Sequence, residues 1–213
     1  MSQKTDEVEH SGEMQYPFIA QIYADMRGKS KHDDKDKAKE KPPSLHILPI
    51  MVGATSQSKH FGQLLAPILS RSNIFTVIST DFCHWGSRFG YSPTASSSSS
   101  SSPTSFREIH EYIEWLDREG MEKISLQDPG AFAKYMKQYK NTICGRYPIG
   151  VYLHALQKAK ESGNSTGGSS NGTPIGCYEE IELQFIKYAQ SSKVTSMYES
   201  SVSYASAVIR KRL

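Results

Sequence analysis

An α/β fold, a mixed central sheet flanked by helices, is what this chain of 213 residues predicts. Two observations carry that reading. Residues 45–53 and 74–78 are short apolar runs rich in branched side chains, the pattern of strands buried on both faces; between them Phe61, Leu64, Leu65, Ile68 and Leu69 recur at helical spacing. Strand, helix, strand in that order reads as a parallel βαβ unit. Further along, three helical patterns are followed by two segments of strand-like alternation, residues 181–189 and 200–209.

Taken in order, Ser11 can cap a first helix whose apolar residues are Met14, Phe18, Ile19 and Ile22, with Glu13 in its first turn and Pro17 tolerable only near its start. Pro49 cannot donate a ladder hydrogen bond, so the strand over residues 45–53 is expected at an edge or a bulge. Residues 106–120 place Phe106, Ile109, Tyr112, Ile113 and Leu116 on one helical face, and Gly120 is fit to end the helix. Asp128-Pro129 is a cap followed by proline at the first helical position, opening a helix with Phe132, Tyr135 and Met136 inward. Pro148 opens the next, which carries Val151, Leu153, Ala155 and Leu156.

Composition bounds the rest. With 37% hydrophobic and 10% aromatic residues the chain can bury one substantial core, so a single domain over residues 1–213 is expected. Low-complexity insertions interrupt it near 27–44, 92–105 and 163–176, the second holding an unbroken serine run from Ser96 to Ser102. The net charge of +3, from 25 basic and 22 acidic residues, gives no electrostatic ground for a nucleic-acid or anionic-membrane partner. Cys83, Cys144 and Cys177 are odd in number and widely spaced, which disfavours a disulfide scaffold and a structural zinc site. No apolar run is long enough to cross a bilayer, and a cytoplasmic protein in a reducing compartment is expected.

Reactive side chains gather in three places. At the end of the run over residues 74–78 come Asp81, Cys83, His84 and Trp85, where the carboxylate can orient the imidazole for proton transfer or the group can serve as a hydrogen-bonded loop anchor. Ligands of open α/β sheets bind beyond the carboxyl ends of strands, which is where this cluster falls, and both uses stay open. Cys144, followed by Gly145 and Arg146 just before a helix, reads either as a thiol in a positive field or as a buried structural cysteine. His10, beside Ser11, fits a role at the helix entrance.

The stretches E-H-S-G-E-M-Q-Y-P-F (9–18), S-T-D-F-C-H-W-G (79–86), N-T-I-C-G-R-Y-P-I-G (141–150), Y-A-Q-S-S (188–192) and S-S-V-S-Y-A (200–205) together resemble the Memo family of mediators of receptor-tyrosine-kinase-driven cell motility. The resemblance implies a fold similar to class III extradiol dioxygenases. It also implies a pocket linked to iron or copper and to phosphotyrosine-containing peptides or other signalling partners, in a cytoplasmic or nuclear protein. In that pocket Cys144 matches a metal ligand, Asp81 and His84 match lining residues with His84 at the acid–base position, and His10 and Trp85 are expected nearby. The family's two histidine ligands lie in P-H-A-G-Y and G-P-x-H segments, and this sequence contains neither. The chain is therefore expected to represent the C-terminal portion, without the N-terminal strands, and to bind metal weakly. Two alternatives stay open: a metal-dependent oxidoreductase, which needs the pocket to hold a redox metal with open coordination positions, and, from residue types alone, a hydrolase with Cys144 as nucleophile, His84 as base and Asp81 as orienter.

Overall fold

The computed structural model describes residues 9–33, 44–71, 73–94, 106–164 and 181–211. The expected insertions fall largely outside these, as does Cys177. The chain divides into two compact units, Met1–Met51 and Val52–Leu213.

In the first unit the Glu9 carboxylate accepts the backbone N–H groups of Ser11 and Gly12 at 2.7 and 2.9 Å, and a turn follows. Helix α1 then runs over Tyr16–Asp33, with Pro17 in its first turn, where a missing N–H costs nothing. Three expectations change here. Glu9 rather than Ser11 holds the entrance, Glu13 precedes the helix, and residues 27–33 are helical rather than part of a loop. Met14, Phe18 and Ile22, read as the apolar residues of this helix, are exposed.

The second unit opens with α2, Ser58–Leu69. It packs on a later helix, α5 (Arg146–Asn164), at Gly62, and Gly62 and Ala66 are its buried residues. A Cβ on Gly62 would lie 2.6 Å from both the His154 Cβ and the Val151 carbonyl oxygen. Small residues thus set the spacing, and Phe61, Leu64 and Ile68 face outward instead.

Residues 45–53 and 74–78 are not strands. They run as irregular chain with no ladder partner among the described residues, and Phe75 is 88% exposed. A strand exists only through the neighbour that satisfies its backbone groups, so apolar, branched composition alone cannot make one. The expected parallel unit is replaced by a small antiparallel sheet, ordered β1-β3-β2, made of β1 (His84–Trp85), β2 (Ile181–Gln190) and β3 (Ser201–Lys211). His84 pairs with Val202 and Trp85 with Ser201. Two further bonds, Phe82 N–H to the Ser203 carbonyl and Ser203 N–H to the Cys83 carbonyl, extend that pairing towards Asp81.

Helix α3 spans Ile109–Ser125 and starts with a reciprocal capping box between Glu108 and Glu111. It passes through Gly120 instead of ending there, because Gly120 makes room for the Tyr135 ring: a Cβ would sit 2.9 Å from the ring's Cζ. Helix α4, Pro129–Tyr139, begins as expected, with the Asp128 carboxylate accepting from Gly130 and Ala131 N–H at 2.7 and 3.1 Å. In α5, Val151, Leu153, Ala155 and Leu156 are buried, as their spacing predicts. Phe82, Trp85, Ile113, Leu116, Phe132, Tyr135, Ile143, Leu153 and Leu183 form one apolar core between these helices and the sheet. The architecture is a mixture of α and β elements in which the segment around residue 82 is sewn into the core from both sides.

Candidate functional site

The turn before α5 and the segment before β1 meet because Gly145 has no side chain. Its N–H donates to Thr80 Oγ1 at 2.9 Å, and a Cβ there would collide with the Thr80 side chain. Thr80 Oγ1 in turn donates to the Asp81 carbonyl at 2.8 Å. That close approach carries the Cys144 sulfur to the Asp81 backbone, whose N–H donates to Sγ at 3.0 Å although the two residues are 63 apart in sequence. A second, longer contact joins Sγ to the Asp81 carbonyl oxygen at 3.7 Å. Cys144 is exposed, so the sulfur meets both the loop and solvent.

His84 is fixed by Thr142. The threonine hydroxyl accepts the His84 N–H at 2.7 Å and donates to the His84 carbonyl at 3.0 Å. The ring nitrogen Nδ1 lies 3.0 Å from the Phe82 carbonyl oxygen and 3.1 Å from that of Thr142. Two carbonyl acceptors require Nδ1 to carry the proton, so in the neutral ring Nε2 holds the free lone pair. Nε2 points towards Asp81, 3.8 Å from Oδ2, with the imidazole 22% exposed. The Phe89 ring meets the imidazole edge-on, at 5.2 Å between centroids. The arrangement can accept or hold a proton at His84 Nε2 beside a carboxylate, next to an accessible thiol.

Asp81, His84 and Cys144 are thus brought together, with Asp81 in the middle: its amide meets the sulfur and its carboxylate faces the imidazole. A Cys–His–Asp hydrolase needs the opposite order, with the imidazole between nucleophile and carboxylate, and no hydrogen bond joins His84 to Cys144 among the described residues. Arg146 is engaged elsewhere: it donates to the Ile143 carbonyl at 3.0 Å and lies 4.6 Å over the Tyr147 ring. Trp85, expected to line the pocket, is fully buried in the core, its indole N–H donating to the Pro93 carbonyl at 2.8 Å. Cys83 is buried too, and desolvation pushes its thiol well above the ordinary range. His10 belongs to the first unit, where its carbonyl accepts the Met14 N–H.

Among the described residues no cluster of three or more His, Cys, Asp or Glu side chains is arranged to hold a metal ion. Asp81, His84 and Cys144 are not such a cluster, although the proton on Nδ1 leaves the His84 Nε2 lone pair free. A groove of about 450 Å³ lies beside Thr142, lined by Met136, Lys137, Lys140, Asn141, Thr142, Arg146 and Tyr147. It includes none of the three reactive side chains.

Four contributors escaped the sequence reading: Thr80, Asp117, Asn141 and Thr142. Thr142 had a visible signal, a hydroxyl two residues before Cys144 in N-T-I-C-G-R. Asp117 had none, since a charged residue in a helical pattern reads as solvent-facing.

Comparison with known proteins agrees with the motifs. A family described as Memo-like protein matches residues 1–208. Protein MEMO1 of Rattus norvegicus is 39% identical over 211 residues, covering 98% of this chain and 58% of its own length. The human protein of the same name is 38% identical over the same shares. A memo-1 homolog of Caenorhabditis elegans is 36% identical over 98% of this chain and 49% of its own length. The chain therefore spans less than two thirds of the length of these relatives. With five ordered motifs and a family match over nearly every residue, the chain belongs to the Memo family.

Proposed function

We propose that this chain supplies the proton-handling and thiol-bearing part of a Memo-family pocket serving signalling and cytoskeletal or redox regulation, with phosphotyrosine-containing peptides or signalling proteins as its partners. The observation that carries the reading is the double engagement of Asp81, amide to Cys144 Sγ and carboxylate towards His84 Nε2. His84, its tautomer set by two carbonyls, is the group that exchanges a proton, with the Asp81 carboxylate facing its Nε2. Cys144 is the soft ligand that suits copper or iron, and a redox metal in a protein generally needs further fixed donors beside it. With Cys144 as the ligand carried over from the family, binding of iron or copper by this chain is expected to be weak.

The test is titration of the purified chain with Cu(I) against a chromogenic chelator, alongside Cys144→Ser and His84→Gln. Weak binding abolished by Cys144→Ser and retained in His84→Gln is expected. Tight, one-to-one binding by the chain, or binding indifferent to Cys144→Ser, would overturn the assignment.

A further inference from the structure

The two segments that carry the pocket do not reach it unaided. Behind them, at the centre of the core, lies Asp117 on α3, fully buried. Its Oδ1 accepts the Cys83 N–H at 3.1 Å and the Asn141 Nδ2–H at 2.9 Å; its Oδ2 accepts the Tyr188 hydroxyl at 2.9 Å, and the Ser203 hydroxyl is also bonded to it. Cys83 stands between Asp81 and His84 in register with β1, while Asn141 precedes Thr142 and Cys144. One carboxylate oxygen therefore grips both segments of the site at once.

We infer that Asp117 is the positioning residue of the pocket, setting the register between the Asp81–His84 segment and the Thr142–Cys144 turn. The inference rests on the reading of the pocket proposed above. The direct cross-links at the pocket are Asp81 N–H to Cys144, Gly145 N–H to Thr80, the Thr142 hydroxyl to the His84 backbone and the His84 ring to the Thr142 carbonyl. Small slips between the segments would strain them together, and Asp117 is the shared anchor that prevents the slip. The anchor is itself held on the remaining sides: Asn141 Nδ2 donates also to the Tyr135 hydroxyl at 2.8 Å, Tyr135 donates to the Leu116 carbonyl, and Gln190 Nε2 donates to the Tyr188 hydroxyl at 3.0 Å. A buried polar network in which one acceptor serves two chain segments specifies their relative placement more tightly than apolar packing does, because losing one partner leaves the others unsatisfied.

The experiment uses a Cys177→Ser background, which leaves the exposed Cys144 and the buried Cys83 as the thiols, and compares Asp117→Ala, Asp117→Asn and Phe132→Leu. Phe132 is buried in the same core and makes no hydrogen bond to the network, its ring stacking on Tyr135 at 6.3 Å between centroids, so it reports what loss of core packing does. At one pH two quantities are read: the rate of Cys144 alkylation by iodoacetamide, and the chemical shifts of the Asp81 amide and the His84 ring. Asp117→Ala is expected to change the alkylation rate about fivefold or more and to move both sets of shifts. Asp117→Asn, which keeps the acceptor for Cys83 and Asn141, is expected to restore both towards the parent. Phe132→Leu should leave them in place at equal loss of melting temperature. If Asp117→Ala behaves like Phe132→Leu, or if Asp117→Asn rescues neither reading, the inference is wrong. Should Asp117→Ala unfold the chain, the Tyr188→Phe variant, which removes a donor to Oδ2 but keeps the ring, is read instead: unmoved Asp81 and His84 shifts would overturn the inference. Neither quantity involves a metal or a partner, so failure of the pocket's proposed function leaves these outcomes unaffected.

Discussion

Asp117 sits where two opposing effects meet. Burial favours its neutral acid, while the hydrogen bonds from Asn141, Ser203, Tyr188 and the Cys83 amide favour the carboxylate; desolvation is the larger, and the carboxyl titrates above its ordinary value of 3.8. An acid whose folded-state value is raised contributes stability that is complete below the unfolded value and is lost as pH rises through the folded one. The neighbouring Cys83 thiol and the Tyr135 and Tyr188 phenols are all shifted upward, so they stay neutral across that window. Asp117→Asn removes the titration and keeps an acceptor. The stability of the parent relative to this variant, from urea unfolding at pH 4 and pH 7, should therefore be greater at pH 4. A relative stability that grows towards pH 7 would show that the hydrogen bonds outweigh burial. None of this was visible in the sequence, because an aspartate between Leu116 and Arg118 differs in no way from the solvent-facing carboxylates Glu114 and Glu119 on the same helix.

Among the elements, the helices and the two late strands matched the sequence, and the two early strands did not. Asp128-Pro129 started α4, the 3.6-residue spacing gave α3 and α5, and the late alternation gave β2 and β3. Residues 74–78 had the composition of a strand but no neighbour among the described residues, and a ladder cannot be read from one edge. In α2 the helix was legible and its face was not: Phe61, Leu64 and Ile68 point outward, while Gly62 allows a closer approach to α5 than leucine or phenylalanine would. This makes Gly62 a specific structural residue. Gly62→Ala should destabilise the chain by ~1–3 kcal/mol in denaturant unfolding, since the inserted methyl meets the backbone carbonyl of Val151 as well as a side chain. Gly53→Ala, whose Cβ meets nothing within 4 Å, should stay within ~0.5 kcal/mol of the parent. Equal effects at the two positions would mean that α2 and α5 are not in close contact.

At the scale of the whole molecule the candidate site is a product of long-range closure. The motifs around Asp81 and Cys144 were each legible as local clusters, but their union depends on Gly145 against Thr80 and Thr142 against His84, contacts between residues more than 55 positions apart. Trp85 shows the limit of motif reading, since a residue adjacent to His84 in the same motif points into the core instead. That alternation is the consequence of the β1–β3 pairing, which sends successive side chains to opposite faces. The central claim is that Cys144 touches the Asp81 segment, and it is tested most directly by NMR before and after alkylation of Cys144 with iodoacetamide in the Cys177→Ser background. The account predicts the largest change at the Asp81 amide, which loses its hydrogen bond to Sγ, with the His84 ring next and the amides of β2 unmoved. An Asp81 amide that does not shift when Cys144 is fully alkylated would contradict it.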